Sequence, residues 1–586
     1  MSTKSRGSIR SHKPSAVDLQ VGKKEILSPL STWIATVVVA FAVLAVYSPA
    51  LNFKFILDDH RFVNDRRVQS PGHLWEYFTS YVWSQFPGGP SSFYRPVFIL
   101  FMRLNFILSG ISPWGWHLIS ILTHLLVGGL LGFLVWRLLR NRVAALIAAT
   151  LFALHPAQTE SVAWVTVPDP LMAAAVLGTL LLYLWYEELA CADNQIPAGR
   201  SQKKRNRSQG HALGAWRIAF ASAAACLAAL MTKETAIVVP SIIFAMAFVM
   251  PVNRRREAPE RESAGTGTRV ASAFRETLPF TGVTVIYFLF RINALGGGIS
   301  PRTQQLPWST VLLSWPATLW FYCKVLLWPA HERAFADPTL ADTFSLRGVL
   351  LSGLGVCFLA AILAGAYIWA RRTAVHDLSQ HDLSECETAG VERALLLGTL
   401  LLVLPILPAL NLNALNPGDF LHGRYTYLSL TGLMLLAATG WHLAKKSRIV
   451  LLLAAGLVAL AFGVLTIQQE SMWKDDLTVF TVGHQYAPNN APVAHNLAKA
   501  NVQIALDLDE AGRCDQAMPM FEQAIQQYPQ DWFAWAGRGE CLLKSGNLPD
   551  AEQSLHRASE LAHEPRVTEQ WQQVRAMMGL SPATTQ

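Results

Sequence analysis

The segment STWIATVVVAFAVLAVYSPA, from Ser31 to Ala50, contains no charged residue. A helix of about 20 residues rises about 1.5 Å per residue and so crosses the roughly 30 Å hydrocarbon layer of a membrane. A second run, IVLLLAAGLVALAFGVLTI from Ile449 to Ile467, has the same character. Of the 586 residues, 52% are hydrophobic and 15% are charged, whereas soluble proteins carry about 25% charged residues. The sequence therefore predicts an all-α, polytopic membrane protein.

Clusters of basic residues beside the apolar runs predict the topology, because short cytoplasmic segments are rich in Lys and Arg. The clusters are Arg137, Arg140 and Arg142; Lys203, Lys204, Arg205 and Arg207; Arg254, Arg255 and Arg256; Arg371 and Arg372; and Lys445, Lys446 and Arg448. Placing all of them inside gives eleven spans, near 31–50, 114–138, 143–156, 161–187, 216–231, 235–252, 277–293, 347–371, 393–411, 424–444 and 449–468. Residues 1–30 are then a cytoplasmic basic tail before a signal-anchor helix, since the apolar run behind them is too long for a cleavable signal.

Two further apolar runs, Pro96–Leu108 and Val311–Trp328, are predicted to be external membrane-surface or re-entrant helices. Counting either one as a span would leave basic clusters outside. The first run is also short and contains Arg103, whose charge would cost about 2.5 to 3.5 kcal/mol at a bilayer centre. With this topology the C-terminus is external, and so are the loop 51–113 and the other loops that carry unusual polar residues.

The C-terminal region 471–580 is polar and contains an internal repeat. Gly512, Ala517 and Ala524 recur 34 positions later as Gly546, Ala551 and Ala558, which is the period of tetratricopeptide repeats. We expect two helix-turn-helix repeats, 490–529 and 530–564, and a partial repeat before them. They either present a small groove to a peptide or partner or form a structural cap without a ligand.

The seven cysteines form no CxxC pair, so neither a zinc site nor a redox motif is indicated. Cys514 and Cys541 could pair if the repeats are extracytoplasmic, but two unrelated packing cysteines are favoured.

The first external loop begins FKFILDDHRFVND and contains the adjacent carboxylates Asp58 and Asp59. Two neighbouring negative charges raise the pKa of at least one carboxyl, which is how a general base becomes available. Such a base could remove the proton of an acceptor hydroxyl as a new bond forms. As an isolated pattern, however, two aspartates are more often solvated loop charge.

Other external loops carry polar residues of the kind found in active sites. They are Arg95 in SFYRPVFILF, His155 and Glu160 in LFALHPAQTESVAW, Lys233 and Glu234 in MTKETAIVVP, and Arg424 and Tyr425 in FLHGRYTYLSL. Arginine at the lip of a helix can bind a phosphate with two hydrogen bonds, or it can anchor the helix at the interface. Lys233 and Glu234 are more typical of an ion pair within a helix hairpin, and His155 of a residue that ends a helix. Together these groups indicate transfer chemistry on an anionic, lipid-borne donor.

At these residues the sequence resembles the transmembrane and tetratricopeptide repeat-containing O-mannosyltransferases and their bacterial relatives, within the GT-C glycosyltransferases. The resemblance runs from about Phe53 to Leu561. It is carried by FILDDHRFVND, YRPVFILFMRLNFILSG, WGWHLISILTHLL, LFALHPAQTESVAWV, TKETAIVVP, RYTYLSLTGLMLLA and APNNAPVAHNLAKA.

The resemblance implies a GT-C-type bundle over 31–470 and a donor in which a monosaccharide such as mannose is linked to polyprenyl or dolichyl phosphate. It implies transfer to a protein hydroxyl with inversion, and it assigns the family's acidic motif to Asp58 and Asp59, one of which would be the base. Arg95, Glu160 and Arg424 fall on other family segments. The chain departs from the family pattern at Pro168, Asp169 and Pro170, and at Gly423, where an acid is frequent.

The resulting hypothesis is an inverting membrane glycosyltransferase that modifies a protein Ser or Thr on the extracytoplasmic face of a bacterial inner membrane. Asp58 and Asp59 are the catalytic candidates; Arg95, Arg424 and Tyr425 would bind the donor phosphate; His155, Glu160, Lys233 and Glu234 would support them. We expect no cofactor, metal or nucleic-acid partner; a divalent metal is possible but not indicated. The alternatives are a non-enzymatic membrane scaffold that recruits envelope proteins through its repeats, and a transporter of lipid-linked sugars, which would place polar residues near mid-membrane.

Overall fold

The computed structural model describes residues 27–86, 93–193, 202–249, 266–296, 305–331, 335, 340–379, 385–415, 420–562 and 564–581. Within these ranges the chain is helical and contains no β-strand, which confirms the all-α prediction. Most of the predicted basic tail and the cluster Arg254–Arg256 lie outside the described residues.

The first part of the chain forms helices α1 to α17. They are α1 Pro29–Val46, α2 Asp59–Val63, α3 Arg66–Gln69, α4 Glu76–Thr79, α5 Pro96–Ser109, α6 Pro113–Leu139, α7 Arg142–Ala153, α8 Thr159–Ala163, α9 Asp169–Asp193, α10 Gln202–Leu230, α11 Val239–Val249, α12 Thr266–Ala294, α13 Trp308–Leu327, α14 Ser352–Ser379, α15 Glu385–Val403, α16 Tyr427–Leu443 and α17 Arg448–Glu470. The C-terminal part forms α18 Asp476–Tyr486, α19 Ala491–Glu510, α20 Cys514–Gln527, α21 Trp532–Lys544, α22 Leu548–Ala562 and α23 Pro565–Met577.

Among the described residues, eight helices are long and apolar enough to cross a membrane. They are Pro29–Val46, Pro113–Leu139, Asp169–Leu189, Thr266–Ala294, Trp308–Leu327, Leu346–Ser379, Glu387–Leu410 and Arg448–Trp473. Shorter apolar helices are Pro96–Ser109, Arg142–Ala153, Gly214–Leu230 and Glu234–Val249. The chain thus has the helices of an integral membrane protein, while the count of eleven spans stays a prediction. One of the eight long helices, α13, is one that the sequence assigned to the membrane surface.

The two ends of the helix bundle carry different sets of ion pairs. At one end, which we call the basic end, residues of the predicted inside clusters bind acids or carbonyls: Arg137 with Glu188 at 2.7 Å, Lys445 with Asp377 at 2.7 Å, and Arg142 with the carbonyl of Leu27 at 3.0 Å. The opposite end, the site end, holds the ion pairs of Arg95, Lys233 and Arg424. The residues singled out in the sequence therefore lie at one end of the bundle.

Helix α13 has both of its ends at the site end. Before its first turn, the N–H of Leu306 donates to the side chain of Asn413, which follows α15, at 2.8 Å. At its last turn, the carbonyl of Leu326 lies 3.2 Å from Nε2 of His155, which follows α7. These contacts join both ends of α13 to segments at the site end, while its predicted location on the membrane surface stays a prediction.

Close packing of α16 against α15 fixes the turn that precedes α16. Gly432 lies against the backbone of Leu402 and Gly398, and a Cβ atom at position 432 would overlap both. Any larger residue would push α16 outward, and Arg424 and Tyr425, which precede it, would move with it.

The C-terminal helices pair as the repeat predicts, α19 with α20 and α21 with α22. Gly512 and Gly546 connect the paired helices with φ angles of +72° and +79°, a conformation that glycine adopts without a Cβ clash. The recurring alanines, Ala517 and Ala551 among them, are fully buried between helices. The 34-residue period therefore reflects helix pairs with a glycine turn.

Cys514 and Cys541 meet in one polar cluster inside the repeats. Both thiols donate to Oδ1 of Asp509, over 2.8 Å and 3.2 Å, and Lys544 contacts the same oxygen at 2.8 Å. Both cysteines are free thiols. They share one acceptor rather than packing separately, which corrects the favoured view of two unrelated cysteines.

Candidate active site

A cavity of about 690 Å³ opens at the site end of the bundle. Its charged lining residues are Asp58, Arg95, Lys233, Glu234, Arg291 and Arg424. Its aromatic lining residues are Phe62, Trp83, Phe93, Phe98, Trp164, Phe288 and Tyr425. A few convergent charges in a largely apolar cavity are typical of a small-molecule site.

The two adjacent aspartates have different surroundings. Asp58 directly precedes α2; its carbonyl accepts hydrogen bonds from the N–H groups of Arg61 and Phe62, and the residue lines the cavity. Asp59 is fully buried. Its Oδ2 accepts from the N–H of Ile56 at 3.1 Å, and its Oδ1 accepts from the N–H and hydroxyl of Thr166 at 3.2 Å and 2.7 Å. Asp59 therefore joins the first loop to the segment after α8, and Asp58 is the one of the two aspartates that lines the cavity.

Burial raises the pKa of Asp59 from 3.8 to about 7, against the lowering effect of its hydrogen bonds with Thr166 and Ile56. The charge of Asp58 raises this pKa as well, but it is the smallest of the causes. The sequence predicted a raised pKa from mutual repulsion of the pair. The structure shows a raised pKa whose main cause is desolvation.

Arg424 is held by a buried acid from another helix. Its backbone N–H donates to Oε2 of Glu160 at 3.0 Å, and its guanidinium donates to Oε1 at 2.9 Å. His422 lies 2.8 Å from the same Oε1. Burial would raise the pKa of Glu160, but the nearby His422 and Arg424 outweigh it and hold that pKa below its usual value. The guanidinium also lies 4.6 Å above the ring of Trp164, which fixes its direction.

A second arginine pair surrounds Glu234. Arg95 donates to Oε2 of Glu234 from Nε and Nη2, at 3.1 Å and 2.8 Å. Arg291, in the last turn of α12, lies 3.7 Å from Oε1 of the same carboxylate. Burial opposes ionisation, but Arg95 and Arg291 keep the pKa of Glu234 low. Arg95 before α5, Glu234 in the turn before α11 and Arg291 in α12 thus bring two guanidinium groups and one carboxylate to the cavity wall.

Lys233 binds Asp169, 2.6 Å from each carboxylate oxygen, and both side chains are buried. Burial lowers the pKa of Lys233, Asp169 opposes this, and the positive charges of Arg424 and Arg95 lower it further. The predicted ion pair between Lys233 and Glu234 is therefore wrong. The two residues are consecutive at the start of a turn, and their side chains diverge to partners on different segments.

His155 lies outside the cavity lining. It is fully buried; its Nδ1 accepts from the N–H of Ala157 at 3.2 Å, and its ring packs edge-on against Phe462 at 4.6 Å. These contacts end α7 and tie it to α17, as expected of a helix-end histidine.

The structure brings most of the predicted site residues together. Asp58, Arg95, Lys233, Glu234, Arg424 and Tyr425 line the cavity, whereas Asp59, Glu160 and His155 lie behind it. The roles of Arg291 as a lining residue and of Asp169 as the partner of Lys233 were not predicted from the sequence. The only signal for Asp169 was its place between two prolines, where the chain departs from the family pattern.

Every cation of the cavity wall is thus paired with a carboxylate: Arg95 and Arg291 with Glu234, Lys233 with Asp169, and Arg424 with Glu160. Such pairs hold guanidinium groups in fixed directions, so an anion in the cavity would meet donors already in place.

A family model described as tetratricopeptide repeat matches residues 510–577. The chain is similar over most of its length to two proteins named protein O-mannosyl-transferase. One, TMTC1 of Homo sapiens, is 24% identical over 85% of this chain and 55% of its own length. The other, Tmtc1 of Drosophila melanogaster, is 26% identical over 80% of this chain and 59% of its own length. This chain therefore spans somewhat more than half of these relatives.

Among solved structures, the apo crystal structure of the Archaeoglobus fulgidus oligosaccharyltransferase is similar, with 13% identity, a TM-score of 0.36, and coverage of 80% of this chain and 60% of that chain. A TM-score of that size does not establish a shared fold.

Proposed function

We propose that this chain is a membrane glycosyltransferase that moves mannose from a polyprenyl-phosphate donor to a Ser or Thr hydroxyl of a protein, with inversion. The relatives named protein O-mannosyl-transferase support glycosyl transfer to protein. The cavity supports the reaction, because the carboxylates Asp58 and Glu234 line it together with the cations Arg95, Lys233, Arg291 and Arg424.

The proposed topology has eleven spans, with the N-terminus in the cytoplasm of a bacterial cell and the cavity and repeats outside its inner membrane. In support, Arg137, Arg142 and Lys445 form contacts at the basic end of the bundle, and cytoplasmic segments are enriched in such residues. The repeats follow α17 at the site end, where Lys474 contacts Lys54.

In the proposed complex, the donor phosphate lies near Arg95, Arg291 and Arg424. The lipid tail leaves the cavity between the end of α12 and the turn Leu404–Leu410. Phe288, Ile292, Pro405 and Pro408 line this side of the cavity, and Ile292 is 53% exposed on the bundle surface. An apolar side opening would let the chain stay in lipid while its phosphate reaches the arginines.

Asp58 is the proposed general base. The acceptor hydroxyl oxygen attacks the anomeric carbon as its proton passes to Asp58, and the bond between that carbon and the phosphate oxygen breaks. The electron pair leaves with the polyprenyl phosphate, whose charge the arginines stabilise. One displacement inverts the anomeric centre. The leaving group is already a phosphate and needs no general acid, and the proposed reaction uses no cofactor or metal.

The observation that carries this assignment is the difference between the adjacent aspartates: Asp58 lines the cavity, whereas the oxygens of Asp59 bind Ile56 and Thr166. The test is transfer of radiolabelled mannose from polyprenyl-phosphate-mannose to a protein or peptide pool by the purified protein. Asp58→Asn should lose a factor of about 10² to 10⁴ in rate while keeping the thermal unfolding midpoint of the wild type. Full activity in a folded Asp58→Asn variant would exclude the mechanism.

The alternative function is a membrane scaffold, which the repeat match over 510–577 favours. A scaffold would recruit envelope proteins through the repeats and would tolerate Asp58→Asn without loss of function. Failure of well-folded wild type to transfer mannose, together with capture of the same envelope proteins by wild type and Asp58→Asn, would favour this alternative.

A further inference from the structure

The first residue of α18 contacts both sides of the acidic turn. Oδ1 of Asp476 accepts from the N–H of Leu57 at 2.9 Å, and Oδ2 lies 2.8 Å from Nε2 of His60. Leu57 directly precedes Asp58, and His60 directly follows Asp59. One carboxylate at the start of the C-terminal region thus holds the short segment that contains both catalytic candidates.

The turn needs such an external partner because its backbone is in a rare conformation. Leu57 has a φ angle of +52°, in the left-handed region that residues with a side chain seldom adopt. Conformations of this kind persist only where the surroundings fix them. The side chain of Asp476 accepts the hydrogen bond of the Leu57 N–H and so fixes the backbone at Leu57. Because Asp58 follows directly, the backbone conformation of Leu57 determines the direction of Asp58.

The residues around Asp476 also contact Trp164, another lining residue of the cavity. Trp473 stacks on Trp164 with 6.1 Å between ring centroids, and the guanidinium of Arg424 lies over Trp164. The backbone N–H of Lys54 donates to the carbonyl of Lys474 at 2.9 Å and joins the first loop to the segment before α18. The segment Trp473–Asp476 therefore touches both the carboxylate side and the arginine side of the site.

We propose that Asp476 is a positioning residue that orients Asp58 from the first helix of the C-terminal region. This role rests on the proposed function. In this role, Asp476 positions the base from the same segment that leads into the repeats. The base and the surface proposed to bind the acceptor would then keep a fixed relative position. Misplacing a reacting group by about 1 Å can cost about 10² in rate.

The neighbouring Asp475 provides a matched control. Its Oδ1 accepts from the N–H and hydroxyl of Thr478, at 2.9 Å and 2.6 Å, and so caps α18. Asparagine caps helices as well as aspartate does. Asp475→Asn and Asp476→Asn therefore remove the same charge at adjacent positions, and only the second changes the contact with the acidic turn.

The experiment measures kcat and the KM for polyprenyl-phosphate-mannose in wild type, Asp475→Asn, Asp476→Asn and Asp476→Ala. We expect kcat to fall about 10- to 100-fold in Asp476→Ala and less in Asp476→Asn, which keeps one acceptor oxygen, with the donor KM unchanged within about twofold. Asp475→Asn should match wild type. An unchanged kcat in Asp476→Ala, or an equal loss in Asp475→Asn, would overturn the proposal.

Amide hydrogen exchange of the peptide that contains Leu57 and Phe62 tests the contact without using activity. Faster exchange is expected in Asp476→Ala and not in Asp475→Asn, because only the first removes the acceptor of Leu57. Unchanged exchange would overturn the proposal even if kcat fell. If the wild type were inactive, both the proposed function and the positioning role of Asp476 would be excluded. Amide hydrogen exchange would still show whether Asp476 holds the turn.

Discussion

Glu160 binds Arg424 twice, accepting one hydrogen bond from its backbone and one from its guanidinium. The side chain of Glu160 is 2% exposed and that of Arg424 is 14% exposed. A buried acid at the start of α8 thus fixes both the fold of the turn before α16 and the direction of an arginine in the cavity. Stability and site geometry depend here on the same carboxylate.

We therefore expect Glu160→Gln to destabilise the protein by about 3 kcal/mol, because removing one partner of a buried pair leaves the other charge uncompensated. The matched control is Glu188→Gln. Glu188 also pairs with an arginine, Arg137, but its side chain is 42% exposed, and exposed pairs contribute about 0–1 kcal/mol. Thermal unfolding in detergent should show a lower midpoint for Glu160→Gln only. Equal midpoints would contradict the structural role of Glu160.

The buried pair of Lys233 and Asp169 predicts strong coupling in a double-mutant cycle. Lys233→Met and Asp169→Leu should each destabilise by about 3–5 kcal/mol, since each leaves one buried charge alone. The double variant should lose less free energy of unfolding than the two single variants lose together, because no unpaired charge remains. Unfolding midpoints of the four proteins test this, and simple additivity would show that the two side chains do not interact.

Asp59 predicts a dependence of stability on pH. The unfolded chain loses this proton near pH 4, whereas burial keeps it on the folded chain until about pH 7. Between these values the folded state binds more protons, so its stability falls as pH rises and levels off above about pH 7. The unfolding midpoint of wild type should decline from about pH 5 to pH 7.5 more steeply than that of Asp59→Asn, which cannot ionise. Asp58→Asn should keep the wild-type slope, and identical slopes in all three would contradict the raised pKa.

Arg291 is expected to contribute to donor binding. It lines the cavity and faces Glu234 from the last turn of α12. Loss of one charge-assisted hydrogen bond to the donor phosphate corresponds to about 1.5–3 kcal/mol, so Arg291→Ala should raise the donor KM about tenfold or more. Arg275→Ala, at an exposed position of the same helix, should leave KM unchanged. An unaltered KM in Arg291→Ala would place the phosphate elsewhere.

Sequence predicted the helical class, the repeats and most of the cavity residues, because these features have local signals. Apolar length marks a span, and a 34-residue period with glycine at 512 and 546 marks paired helices. The sequence located the acidic motif but did not show which of its two aspartates lines the cavity. Whether Asp58 or Asp59 faces the cavity depends on Leu57, whose φ angle of +52° has no signature in a leucine.

The ion pairs of the site could not be predicted, because each joins segments far apart in sequence. Lys233 and Glu234 looked like partners because they are adjacent, yet Asp169 and Arg95 are their partners in space. Arg291 gave no signal, since an arginine at the end of an apolar helix resembles an ordinary interface anchor.

The C-terminal helices follow the last helix of the bundle without a flexible tether, since α17 ends at Glu470, a short 3₁₀ turn spans Ser471–Trp473, and α18 begins at Asp476. The junction also contacts the first loop through Lys54, Leu57 and His60, which favours a fixed distance between the repeats and the cavity. If the repeats bind an acceptor chain and the proposed function holds, this distance sets the number of residues between the bound stretch and the glycosylated residue. Modified sites in different substrates would then share a constant spacing from their recognition sequence rather than a common sequence around the sugar.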